Sequence, residues 1–123
     1  MPVRIKEKVK VQSSVTPSAL NTETDLINLG GQSDDYIIEG QIDLSNMASD
    51  DEVVIKVYIA VDGTNQRLSD QMTFSGVQTI PVVRVLAHTI PANGKFRVTI
   101  TQTAGATLKA FNYCFIYQIM ETI

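Results

Sequence analysis

The residues able to do covalent or acid–base chemistry are few, and their spacing decides what they are worth. His88 is the single histidine and Cys114 the single cysteine. A nucleophile needs a base within hydrogen-bond reach, most often an imidazole, so His88 is the one imidazole available to activate Cys114 or a serine. Read as an alternating strand, its segment puts His88 on the even-numbered face with Ile80, Val82, Leu86 and Ile90, beside Arg84. That is the setting of a histidine at the edge of a core. Cys114 shares a face with Ala110 and Ile116, where a free thiol behaves as a small hydrophobe. No catalytic dyad is expected. One Cys and one His also build neither an internal disulfide nor a Cys/His zinc cluster within the chain. No GxGxxG, P-loop or HExxH spacing occurs, so nucleotide binding and zinc hydrolysis have no motif support. No catalytic residue, metal or cofactor is expected.

Carboxylates are more plentiful. Asp34-Asp35 and Asp50-Asp51-Glu52 fall in turn-like segments, where backbone carbonyls could complete a calcium site or two acids could serve a glycosidase. Neither cluster follows a calcium-loop pattern, and turn aspartates commonly satisfy local backbone groups. They are expected to form an acidic surface. The aromatic stripe Phe111, Tyr113, Phe115, Tyr117 has the spacing of a stacking platform, yet no basic residue follows Lys109, and period-two aromatics are what the core of a β-sandwich looks like. Core packing is the expectation.

These residues must be positioned by strands. Period-two alternation dominates, and no stretch longer than about ten residues holds helical spacing. Residues 3–11 put Val3, Ile5, Val9 and Val11 on one face and Arg4, Lys6, Lys8 and Lys10 on the other. A short run at Leu26, Ile27 and Leu29 ends at Gly30-Gly31. Residues 36–44 and 53–61 alternate cleanly, Asp62-Gly63 marks a hairpin turn, and Leu68, Met72 and Phe74 return from it. Ile80 to Ile90 is apolar at most positions, which predicts a strand buried on both faces. Phe96, Val98 and Ile100 form the next strand, and residues 108–120 a last one, expected to be central. Eight strands with Gly/Pro/Asn turns predict an all-β protein, an antiparallel β-sandwich of eight-stranded jelly-roll type. Residues 1–15 are expected to be a basic N-terminal strand or arm and residues 16–123 a single sandwich domain.

Charge is unevenly spread. Residues 1–11 carry Arg4, Lys6, Lys8 and Lys10 against Glu7 alone, a net +3, whereas residues 12–123 hold six basic and twelve acidic groups, a net −6. From Gln12 to Ile55 there are nine carboxylates and no Lys or Arg. A basic strand with an apolar second face can pair with a sheet edge, its own or a neighbour's, while its charges meet an acidic surface. The candidate assembly arm is Val3, Arg4, Ile5, Lys6, Lys8, Val9, Lys10 and Val11. The same lysine row also suits an edge strand that deters pairing. Nucleic-acid binding is disfavoured, because four cations on a net-acidic domain release few counterions. The N-terminus MPVRIKEKVK lacks the apolar stretch of a secretory signal, and no apolar run approaches the ~20 residues of a membrane-crossing helix. Synthesis in a cytoplasm and no membrane partner are the expectations.

The strings EGQIDLSNMASDDEVVIKVYIAVDG and HTIPANGKFRVTITQTAG resemble, in strand rhythm and turn chemistry, the small β-sandwich and jelly-roll virion proteins of tailed phages and archaeal viruses, capsid components and capsid-decoration proteins among them. The resemblance covers about residues 36–118 and implies a non-enzymatic structural protein, made in the host cytoplasm and located in the virion. It also implies a homo-oligomer such as a trimer, a major capsid protein as partner, and contacts from a terminal arm. The alternative from another class is a lectin-like carbohydrate-binding module that uses turn carboxylates, with or without calcium, and exposed tyrosines.

Overall fold

The structure, a computed structural model, describes residues 2–123. Strands form where the alternation runs: β1 (Val3–Val15), β2 (Thr24–Leu29), β3 (Tyr36–Asp43), β4 (Glu52–Ala60), β5 (Arg67–Ser75), β6 (Val82–Ile90), β7 (Lys95–Ala104) and β8 (Phe111–Thr122). They lie in two four-stranded antiparallel sheets, ordered β1-β8-β3-β6 and β2-β7-β4-β5. Every connection crosses between the sheets except the β4–β5 hairpin. The pairings β1·β8, β2·β7, β3·β6 and β4·β5 are those of one long hairpin rolled up on itself, and β3·β8 and β4·β7 are the seams of the roll. The expected jelly roll is therefore the fold, and β8 is central as expected.

The β4–β5 turn shows how local chemistry fixes register. Gly63 takes φ +77°, and its N–H donates to the Ala60 carbonyl at 3.2 Å. Asp62 Oδ1 accepts the backbone N–H groups of Asn65 at 2.7 Å and Thr64 at 2.9 Å. These donors, Asn65 foremost, pull the Asp62 carboxyl down to about 2, so the turn is held by a carboxylate at any ordinary pH.

The inner faces of both sheets form one core. Ile38, Ile42, Val53, Ile55, Phe96, Ile100, Phe111 and Phe115 are all fully buried, each worth roughly 1.5–3 kcal/mol of transfer free energy. The aromatic stripe of β8 is core, as its period predicts.

Two bulges overturn the simple alternation. In β1 the pairing jumps from Ile5↔Met120 to Glu7↔Ile119, leaving Lys6 as the extra residue. Val11 and Val15 pack against the core and half-buried Val9 lies on their face, whereas Val3 and Ile5 face outward and are 61% and 53% exposed. The single apolar face expected for Val3–Val11 is thus split, because one inserted residue reverses every side chain beyond it. In β6, Leu86 and Ala87 together oppose Glu39, between the Ile38↔His88 and Gly40↔Val85 pairs. Val83 and Val85 therefore point inward with Ile90. Burial of β6 on both faces is also corrected. It is an edge strand whose outer residues Val82 and Leu86 meet solvent, since an unbroken aliphatic run marks strand propensity as readily as double burial.

Tyr36 is fully buried, and among the described residues its hydroxyl has no hydrogen-bond partner. Its ring packs edge-on against Tyr117, with centroids 6.2 Å apart. Burial, then the nearby Tyr117 phenol, push the Tyr36 hydroxyl up to about 12. Tyr36→Phe removes an unsatisfied oxygen and is expected to raise stability by about 1 kcal/mol. The folded value lies above that of an unfolded tyrosine, near 10. The native chain therefore keeps the proton longer, and stability is lost as pH rises from about 10 through 12. Thermal melts of both proteins across that window check this. The gap should widen in favour of Tyr36→Phe, and parallel curves would show the hydroxyl is solvated.

Candidate assembly surfaces

β1 is the outermost strand of its sheet and pairs only with β8, so its second edge carries unpaired backbone groups along a 13-residue strand. β6, β2 and β5 are the other three sheet edges. Arg4 Nε donates to Glu121 at 2.6 Å, and Lys6 Nζ to Asp34 at 3.4 Å. Exposed pairs of this kind contribute at most about 1 kcal/mol each, and here they tie β1 to its own domain. Lys8 and Lys10 are exposed on the outer face of the sheet, and among the described residues neither enters an ion pair.

The acidic residues do not form one surface. Asp34 and Asp35 precede β3 at one end of the sandwich, where Asp35 Oδ1 accepts the Ala92 N–H at 2.7 Å. Asp50, Asp51 and Glu52 lie at the opposite end, against the 104–110 loop that leads into β8. Asp50 Oδ2 accepts the Ala106 N–H at 2.9 Å. Glu52 accepts the hydroxyls of Thr103 and Ser75, which hold its carboxyl below the usual carboxylate range. Asp51 is not at the surface: its side chain is fully buried, with Oδ2 accepting the Ala48 N–H at 2.8 Å and the Lys109 ammonium 3.7 Å away. A turn sequence alone does not reveal which of two adjacent aspartates faces inward. Among the described residues no group of three His, Cys, Asp or Glu side chains converges as a cation site would require. Asp35, Asp50, Asp51 and Glu52 thus accept hydrogen bonds from backbone and side-chain donors of the domain itself.

Cys114 and His88 are kept apart. Cys114 pairs with Gln41 on the outer face of the sheet. His88 pairs with Ile38 on the inner side, stacks on Phe96 at 5.3 Å and places Nδ1 2.7 Å from the Leu86 carbonyl.

Sequence reasoning missed a polar cluster on the outer face of the other sheet. Tyr58 and Thr99 donate to Glu23 Oε2 at 2.6 and 2.7 Å, Arg97 Nε donates to Asp25 at 2.6 Å, and the Arg97 guanidinium lies 5.2 Å from the Tyr58 ring centre. Burial opposes the charged form of Glu23, but the two hydroxyl donors and Arg97 outweigh it and hold the carboxyl below its usual range. Its hydrogen bond to Glu23 raises the Tyr58 phenol. Each group in this cluster already has its partner, so the cluster fastens the approach to β2 onto β7 and β4. The outward alternation of Tyr58 and Arg97 was visible; their adjacency depends on the β4·β7 register.

No protein-family model matches the chain, and no curated protein matches it. Among solved structures, a chain with a TM-score of 0.52 and 12% identity matches over 94% of this chain and 89% of its own length. It comes from Bacillus endospore appendages, described as a novel family of disulfide-linked pili. At that identity the likeness is one of fold. It extends over nearly the whole chain.

Proposed function

We propose that the chain is a non-enzymatic structural subunit that assembles with copies of itself through β1 and the free sheet edges. One observation carries the reading: the longest strand of the fold lies at a sheet edge with half its backbone groups unpaired and two unpartnered lysines on its outward face. An edge of that length is a template for pairing with another chain wherever charge, a bulge or a covering element does not block it. The finer reading is a virion component, a small capsid or capsid-decoration subunit, a trimer or other closed oligomer seated on a major capsid protein, which is what the resemblance to small β-sandwich virion proteins implies. The endospore-appendage neighbour supports a second reading, in which the same edges join head to tail and build a filament.

The test is hydrogen exchange on the purified full chain at rising concentration, with light scattering and negative-stain microscopy. In a monomer only the β1 amides facing β8 are protected. In the assembly the alternate amides of β1 slow as well, and the particle mass rises with them. Closed particles support the capsid reading and filaments the pilus-like one. A monomer at ~100 μM, whose outward β1 amides exchange freely, overturns both.

A further inference from the structure

The strand register assigns the outer face of the β1-β8-β3-β6 sheet a second role. Three rows cross this face: Lys8–Gln118–Ile37, Lys10–Ile116–Glu39 and Gln12–Cys114–Gln41. The middle row is informative. Lys10 and Glu39 are exposed, and among the described residues neither makes an ion pair within the chain. They flank Ile116, which is 37% exposed. Leu86, 68% exposed, stands beyond Glu39 on β6. Two shallow hollows of about 410 and 120 Å3 adjoin Cys114, one between Gln12 and Asp43 and one between Glu39 and Arg84. The face is therefore uneven, partly apolar, and striped with opposite charges on its first and third strands.

We propose that this face packs against the same face of a second copy, about a twofold axis lying between the sheets and running along β8. The charge pattern selects that axis. Rotation about β8 lays β1 of one copy over β3 of the other. Because Lys10, Ile116 and Glu39 share one row, Lys10 then meets Glu39 of the second copy twice over, and Ile116 meets its own counterpart. An axis across the strands would lay β1 on β1 and oppose lysine to lysine. An axis between β8 and β3 would lay β1 on β6, which offers Arg84 and Leu86 but no carboxylate. Tilting the axis by about 15° gives the ~30° crossing that twisted sheets adopt when packed face to face. The arrangement is isologous, as a closed dimer requires, and leaves the sheet edges free. It rests on the reading of the chain as a self-assembling subunit and adds a contact independent of β1 edge pairing.

The axis also places Cys114 opposite itself. Facing sheets lie about 10 Å apart, beyond the Cα separation a disulfide spans, roughly 4.4–6.8 Å, but within reach of a short bismaleimide. In the 123-residue chain this reagent, acting on its one thiol, is expected to yield covalent dimers. Lys10→Glu or Glu39→Lys should each cut the yield at least fivefold, and the double exchange should restore it. Sedimentation velocity on unmodified protein should show the same order in the dimer dissociation constant. An unaffected Lys10→Glu protein, or a double exchange that fails to recover, overturns the face contact. Failure here is distinguishable from failure of the edge reading. Slowed outward β1 amides without cross-linking leave edge assembly standing alone, whereas cross-linked dimers with freely exchanging β1 amides leave only the face.

Discussion

Gln102→Leu is expected to lower the stability of the domain by about 3 kcal/mol. Gln102 is fully buried near the end of β7. Its Nε2 donates to the carbonyls of Thr107 at 2.9 Å and Ala104 at 3.2 Å, and its Oε1 accepts the Lys109 N–H at 3.0 Å. Leucine has a similar volume but none of these atoms, so three backbone groups of the 104–109 loop lose their partner at once. Each buried orphan costs about 1–3 kcal/mol, and water reaching the loop recovers part of that. Asp51→Ala acts on the same network, stripping the acceptor from the Ala48 N–H and the counter-charge from Lys109. Its cost is about 2–3 kcal/mol, below that of a fully buried pair, because the Lys109 side chain is 23% exposed. The two changes should be less than additive, since the residues share a loop. Urea unfolding checks this: the midpoint should fall with the slope unchanged. Losses under about 1 kcal/mol would mean that the loop holds itself.

Gly105 explains why this loop has its sequence. Its φ of +131° is one that side chains rarely adopt, and a Cβ there would lie 2.1 Å from Asp51 Oδ1 and 2.9 Å from Gln102 Nε2. A glycine turn between the last two strands was legible in the sequence; the buried carboxylate beneath it was not. The same division runs through the molecule. Strand positions could be read wherever side chains alternate, since burial on one face imposes period two. The bulges at Lys6 and at Leu86-Ala87 could not be, because a single inserted residue leaves propensity untouched while it reverses the facing of all that follows. This is how Val3 and Ile5 came to lie outside the core and Val83 and Val85 to point inward in place of Val82 and Leu86. For the candidate site, the basic character of β1 was legible. That Arg4 and Lys6 are occupied by Glu121 and Asp34, while Lys10 stands in one row with Glu39, depends on pairings between residues far apart in sequence.

Gly40→Ala is expected to destabilise the domain by about 2–3 kcal/mol, although alanine is the better residue for an ordinary strand. Gly40 pairs with Phe115 on β8, and the Phe115 ring lies across its backbone. A Cβ would stand 2.3 Å from both Cδ1 and Cε1 of that ring and 2.9 Å from Cγ. Phe115 is fully buried, so the ring has nowhere to go without displacing the core, and overpacking of this kind costs about 1–3 kcal/mol. Alanine also restricts the unfolded chain, which returns about 0.4–1 kcal/mol; the steric term wins because the overlap exceeds an ångström. Phe115→Ala alone should cost about 3–5 kcal/mol through the cavity it leaves. With the ring gone, alanine at position 40 has room, so the double variant should be about 2 kcal/mol more stable than the summed single losses predict. Denaturant unfolding of the four proteins closes that cycle, and additive losses would show that the ring already swings clear. The outcome reaches the surface as well. Glu39 and Gln41 flank Gly40 and point to the outer face of the sheet, so a backbone pushed off Phe115 shifts Glu39 out of line with Ile116 and Lys10. Core packing at Gly40 and the charge row proposed to join two copies are thus coupled through one peptide segment.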